Sequence, residues 1–197
     1  MTSKENILNK IREGRREKFP MPALDDLSTV QYDDRLAQFM EMVRLVGGDA
    51  VLLEQGQDVN ELIRSLYPDA SMIASSLPYI TASVDPDTVN EAADLNGVDL
   101  GVVEGKVAVA ENGCVWIPQT MKERAVLFIS ERLVIIVDRK DVVSNMHQAY
   151  DKIGISASRC SSPGYGCFIS GPSKTADIAQ ALVMGAQAAR RVTVLVV

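Results

Sequence analysis

Two short segments hold the residue types that could do chemistry. In Ser170-Gly171-Pro172-Ser173-Lys174-Thr175-Ala176-Asp177-Ile178, hydroxyls and a lysine follow an apolar run, Gly166-Cys167-Phe168-Ile169. They precede a helical pattern of Ile178, Ala181, Leu182 and Gly185. The order reads as strand, tight loop, helix. The first turn of such a helix has N–H groups without internal partners and carries the positive end of the macrodipole. With Gly171, Ser173, Lys174 and Thr175 around it, the loop would suit a phosphate or a carboxylate. The same residues also describe a capped helix that holds nothing, with Pro172 at its first position.

The second segment is Ala110-Glu111-Asn112-Gly113-Cys114, between Lys106-Val107-Ala108-Val109 and Val115-Trp116-Ile117. Glu111 at a strand junction could act as nucleophile, base or ligand contact, with Asn112 and the Gly113 N–H offering hydrogen bonds. Asn-Gly is equally the commonest signal for a tight hairpin turn. Other reactive types read as structural. His147 lies on the flank of an apolar helix face, Cys114 and Cys167 sit in apolar surroundings that raise a thiol's pKa, and Trp116 and Tyr165 are core or pocket wall. Asp177 reads as a first-turn carboxylate complementing its own helix.

The elements that must position these loops follow from the pattern. Thr2 and Glu5 have capping-box spacing ahead of an Ile7, Leu8, Ile11 stripe, and Phe19-Pro20-Met21-Pro22 then extends the backbone. A second helix is predicted from a Ser28/Gln31 cap through Leu36, Phe39, Met40, Val43 and Val46, ended by Gly47-Gly48. Ala50-Val51-Leu52-Leu53 reads as a strand and the Asp58/Glu61 cap as the start of a helix through Leu62, Ile63 and Leu66. Met72-Ile73-Ala74 reads as a short strand and residues 88–95 as a short helix. Glycines 97, 101, 105 and 113 punctuate residues 98–118 into closely spaced strands or hairpins. Strands are predicted at residues 126–129 and 133–137, a helix at 138–153, then the Phe168 strand, the Ser173 helix and a closing strand at 192–197. Apolar strands separated by amphipathic helices predict a mostly parallel sheet covered on both faces, with the glycine-punctuated stretch as a local antiparallel insertion. In such sheets ligands bind beyond the carboxyl ends of the strands, so the two loops are expected to share one cleft there.

Composition bounds the partners. The 197 residues fit one α/β domain at 28–197 with a helical arm at 1–27. A net charge of −6 supplies no basic field for nucleic acid, and Arg12, Arg15, Arg16 and Lys18 read as a solvated helix end. The longest apolar runs are too short for a bilayer, and the N-terminus lacks a secretion signal's apolar core. Three cysteines without zinc spacing and a single histidine suggest a reducing cytoplasm, no metal site and no iron–sulfur cluster in this chain.

Gly171-Pro172-Ser173-Lys174-Thr175-Ala176-Asp177-Ile178, with the closing apolar strand, resembles the C-terminal signature of the lactate-utilisation (LUD) domain family, particularly its lactate utilization protein C branch. Val109-Ala110-Glu111-Asn112-Gly113-Cys114 is similar to that family's Ala-Glu-Thr-Gly-Thr segment, and Arg44 ahead of Gly47-Gly48 also agrees. The resemblance covers about residue 35 to the C-terminus. It implies a three-layer α/β/α fold, mostly parallel, of the glucosamine-6-phosphate deaminase, ribose-5-phosphate isomerase and CoA-transferase type. It also implies a cytoplasmic part in oxidising L-lactate to pyruvate alongside iron–sulfur partner proteins. Glu111-Asn112-Gly113 reproduces the letters around the glutamate nucleophile of some CoA transferases, so an acyl- or CoA-handling enzyme is the alternative, and a small-anion binder using Ser173-Lys174-Thr175 a third. The sequence departs from the resembled pattern twice. Ser130-Glu131-Arg132 stands where relatives carry a histidine, and Gly185-Ala186-Gln187-Ala188-Ala189 replaces their Gly-x-His-Gly-Pro.

Overall fold

The computed structural model describes residues 2–14, 28–154, 165–176 and 181–197. The arginines and lysine at 15, 16 and 18, the break at 19–22, Cys160 and the expected helix start at 177–178 lie outside the described residues. Of the arm, α1 (Ser3–Glu13) is described; it carries the Thr2/Glu5 capping box, and none of its residues is buried.

Helix α2 (Arg35–Leu45) starts later than predicted, because Asp34 accepts from the Ala37 N–H at 2.9 Å and is its cap. It ends in a Schellman arrangement: Gly47 N–H donates to the Arg44 carbonyl and Gly48 N–H to the Val43 carbonyl, both at 2.9 Å, with Gly47 at φ +85°. Arg44 then reaches forward to the Ala50 carbonyl at 3.0 Å, tying the helix to β1 (Asp49–Leu52). Helix α3 (Val59–Leu66) is capped by Asp58 as expected, and β2 (Ile73–Ala74) follows. Three strands punctuated by glycine come next: β3 (Leu100–Glu104), β4 (Val107–Val109) and β5 (Cys114–Pro118).

Three predictions fail between β5 and the end of the chain. Residues 126–129, expected as a strand, form a single helical turn, α4 (Val126–Ile129). Short apolar runs do not distinguish strand from helix by period, and here the Ser130 hydroxyl bonds back to the Val126 carbonyl at 2.7 Å. After β6 (Arg132–Val137), the helix expected over 138–153 is split. Asp138 caps a 3₁₀ turn at Arg139–Asp141, β-branched Val142–Val143 form β7, and Asn145 restarts the chain as α5 (Met146–Ile153). Beyond β8 (Gly166–Ile169), the helix expected from Ser173 is absent from its described part. Lys174–Thr175 (β9) pair antiparallel with Val183–Met184 (β10), and Gly185 N–H donates to the Ser173 carbonyl at 2.9 Å. At Lys174–Thr175 the pairing with Val183–Met184 decides the conformation over local propensity. The last strand is β11 (Arg191–Val196).

The central sheet has the order β1-β11-β6-β3-β2 and is parallel throughout. Along β6 the side chains alternate between two cores. Val134 and Ile136 meet Leu62, Ile63 and Tyr67 of α3 and its cap, whereas Leu133, Ile135 and Val137 meet Phe39 and Val43 of α2 and Val126 and Leu127 of α4. That is a helix–sheet–helix sandwich. The antiparallel insertion is larger than the sequence implies: β7-β4-β5-β8 form a separate four-stranded sheet. Its inner face (Ala108, Val115, Ile117, Val142) joins the α2 core, and its outer face (Val107, Val109, Trp116, Val143) packs on α5. At the amino end of the parallel strands, Tyr67 shares a 2.6 Å hydrogen bond with Thr193, and the guanidinium groups of Arg132 and Arg191 lie over its ring. Burial pushes the Tyr67 hydroxyl's pKa up.

Candidate functional site

The 110–113 and 170–174 loops meet, but not as predicted. Strands β4, β7 and β8 run the same way, so both loops leave the carboxyl rim of the four-stranded sheet. There the Ser170 hydroxyl donates to the Asn112 carbonyl at 2.9 Å. Relative to the central sheet, the 170–174 loop lies against Leu133 and Val192, which start β6 and β11. The amino ends of the parallel strands, not their carboxyl ends, therefore face it.

Both loops dock on successive turns of α2. Gly113 (φ +66°) approaches so closely that a Cβ there would lie 2.8 Å from Met42 C and Val43 N. Gly171 (φ +64°) is held against the helix end, where a Cβ would lie 2.6 Å from the Val46 carbonyl oxygen. Only glycine accepts both the left-handed backbone and the contact. The Lys174 side chain lies over Gly47 and Gly171, close to the carbonyl end of α2, where a cation is favoured.

A cleft of about 400 Å³ opens beside the 170–174 loop. Ser170, Gly171, Ser173, Lys174 and Gln187 supply its polar lining, and Leu127, Phe128, Leu133, Ile169 and Val192 its apolar lining. Of the residues singled out from sequence, Gly171, Ser173 and Lys174 line it. Thr175 sits in the β9–β10 pairing and does not. Glu111, Asn112 and Gly113 are also outside the lining. Glu111 is exposed, and its carboxylate accepts the first N–H of α5, from Met146, at 3.0 Å. Asn112 Oδ1 accepts from Cys114 N–H at 3.2 Å within the 110–113 turn that joins β4 to β5. The expectation that Glu111 and Ser173 line one cleft is therefore not met. Backbone anion capture at Ser173 is also lost, because its N–H donates to the Ala189 carbonyl at 2.9 Å. The side chains left to meet an anion here are the Lys174 ammonium, the Ser173 hydroxyl and the Gln187 amide.

Sequence reasoning missed Leu127, Phe128 and Gln187. The departure at 185–189 was the one available signal, since Gln187 stands in that segment. Of the two described thiols, burial pushes Cys114 up to about 12 and raises Cys167, with Arg124 acting the other way.

A crystal structure of a DUF162 family protein from Deinococcus radiodurans has a similar architecture, with a TM-score of 0.63 at 16% identity, covering 82% of this chain and 95% of that one. At that identity the likeness fixes the fold: a mixed α/β domain with a mostly parallel central sheet. The family model described as LUD domain matches residues 84–197, more than half of the chain and every residue that lines the cleft, so the chain belongs to the LUD domain family. No curated protein matches it. Among the described residues, no helix is long and apolar enough to cross a membrane, and no three His, Cys, Asp or Glu side chains gather as a metal site.

Proposed function

We propose that this chain is a cytoplasmic subunit in the oxidation of L-lactate to pyruvate, working with iron–sulfur partner proteins and binding a small carboxylate in the cleft beside Lys174. The observation that carries this reading is the LUD family match, which spans the whole cleft, in a family associated with lactate utilisation. Lactate becomes pyruvate by losing two electrons and two protons. In this reading the electrons pass to the partners' clusters while this chain holds and orients the acid. Lys174 would pair with the carboxylate, and Ser173 and Gln187 would offer hydrogen bonds to its oxygens.

Deletion of the gene and complementation tests the proposal. Wild-type chain should restore growth on L-lactate, Lys174→Ala should restore it poorly, and crosslinking should recover iron–sulfur proteins with the wild-type chain. Unchanged growth on L-lactate after deletion, with no iron–sulfur protein recovered, refutes it.

A further inference from the structure

The size and lining of the cleft point to a ligand larger than lactate. At about 400 Å³ it has room for on the order of a dozen waters. A three-carbon hydroxy acid fills well under half of that. The remaining space is bounded by Leu127 and Phe128 of α4 and by Leu133 and Val192 at the start of β6 and β11. Leu133 and Val192 are at most 2% exposed, so the floor is continuous with the α2 core. Phe128 is 46% exposed and stands on the wall of the cleft.

The polar part comes from the neighbouring 170–174 loop and from Gln187. An ammonium, a hydroxyl and an amide match a carboxylate. A phosphate monoester, with up to two negative charges, calls for further cations or a free helix N-terminus. Among the described residues of the lining Lys174 alone is charged, and Ser173 N–H is already bonded.

We infer that the cleft accepts a carboxylate bearing an apolar body of about ring size, such as an aryl- or branched-alkyl-substituted 2-hydroxy acid, with its charge at Lys174 and its body against Phe128, Leu133 and Val192. The inference rests on the reading that the cleft is the ligand site, and it goes beyond L-lactate by naming a bulkier class of 2-hydroxy acid.

Calorimetric titration of the full chain with three probes decides the matter. L-lactate has the charge without the body, L-3-phenyllactate has both, and 2-phenylethanol has the body without the charge. Phenyllactate should bind at least about tenfold more tightly than lactate and about tenfold more tightly than phenylethanol. Lys174→Ala should abolish the preference for phenyllactate over phenylethanol. Phe128→Ala should weaken phenyllactate about five- to tenfold while leaving lactate within about twofold. Lactate binding as tightly as phenyllactate would overturn the inference and leave the cleft standing as a lactate site. Failure of all three probes to bind the folded chain would overturn the cleft reading itself. Phenyllactate affinity unchanged in both variants would place the ligand elsewhere and overturn the inference.

Discussion

Replacing Gly171 by alanine tests whether the 170–174 loop is built by docking on α2. Two costs add. The residue sits at φ +64°, where an L side chain costs roughly 1–2 kcal/mol. The new Cβ would also lie 2.6 Å from the Val46 carbonyl oxygen and 3.1 Å from Val46 Cγ2, so loop or helix must move, at roughly 1–3 kcal/mol. Gly56 provides the control. Its φ is +84°, but a Cβ there meets nothing within 4 Å, so Gly56→Ala incurs the backbone cost alone. Stiffening of the unfolded chain, about 0.4–1 kcal/mol, favours both variants alike and cancels in the comparison. Gly171→Ala should therefore lose about 1–3 kcal/mol more than Gly56→Ala in urea unfolding. Trp116, the single tryptophan, is buried in the four-stranded sheet next to Phe168 and reports the transition. Equal losses in the two variants would show that the loop does not depend on its seat against α2, and the account of both motif glycines would fail with it.

Three further outcomes follow from the geometry. Tyr67→Phe leaves the buried Thr193 hydroxyl without its 2.6 Å partner and should cost about 1–3 kcal/mol, most of which Thr193→Val in the same chain restores; a double variant no better than Tyr67→Phe alone would contradict this. Asp99 accepts from Ser71 N–H, the Ser71 hydroxyl and Met72 N–H, and these bonds hold its carboxyl below the usual range. A depressed folded-state pKa stabilises above the unfolded value of about 3.9, and that stabilisation is lost as pH falls through the lower folded value. The destabilisation by Asp99→Asn should thus be full at pH 7 and shrink below about pH 4, read as urea midpoints across that range. Cys114, pushed up to about 12, should resist iodoacetamide at pH 8 in the folded chain and react on unfolding, as peptide mass spectrometry would show; rapid native labelling would mean that its burial is wrong.

Much of the scaffold was legible because local chemistry and burial agree there. Asp58 caps α3, Gly47-Gly48 close α2, and the apolar runs at 133–137 and 192–197 are the buried centre of the parallel sheet. The errors cluster where a distant partner decides. Whether residues 126–129 coil or extend depends on their packing beside β3 and the 3₁₀ turn at Ala92–Leu95, and whether residues 174–175 start a helix depends on residues 183–189. Asn145 and Gln148 do have cap spacing, so the start of α5 was readable but hidden inside an apparently continuous helical pattern. At the site, the loop residues announced themselves, whereas the wall at Leu127 and Phe128 arrives through the fold alone. The Glu-Asn-Gly letters misled in an instructive way: a hairpin turn needs the same asparagine and glycine, and the glutamate's oxygen caps a helix 35 positions downstream.

The position of β11 has a consequence for how the molecule is made. It is translated after every other strand of this chain, yet it lies between β1 and β6 and contributes both ladders that join them. Until residues 191–196 leave the ribosome, β1 and β6 each present an open hydrogen-bonding edge, and the apolar faces of β6 have no neighbour on that side. Closing the sheet also means bringing Asp49 to Thr193 across most of the sequence, a slow, high-contact-order step. Completion of the sheet thus waits for residues 191–196 to emerge. A truncation that removes residues 191–196 would yield a sticky fragment prone to aggregation instead of a slightly weakened protein.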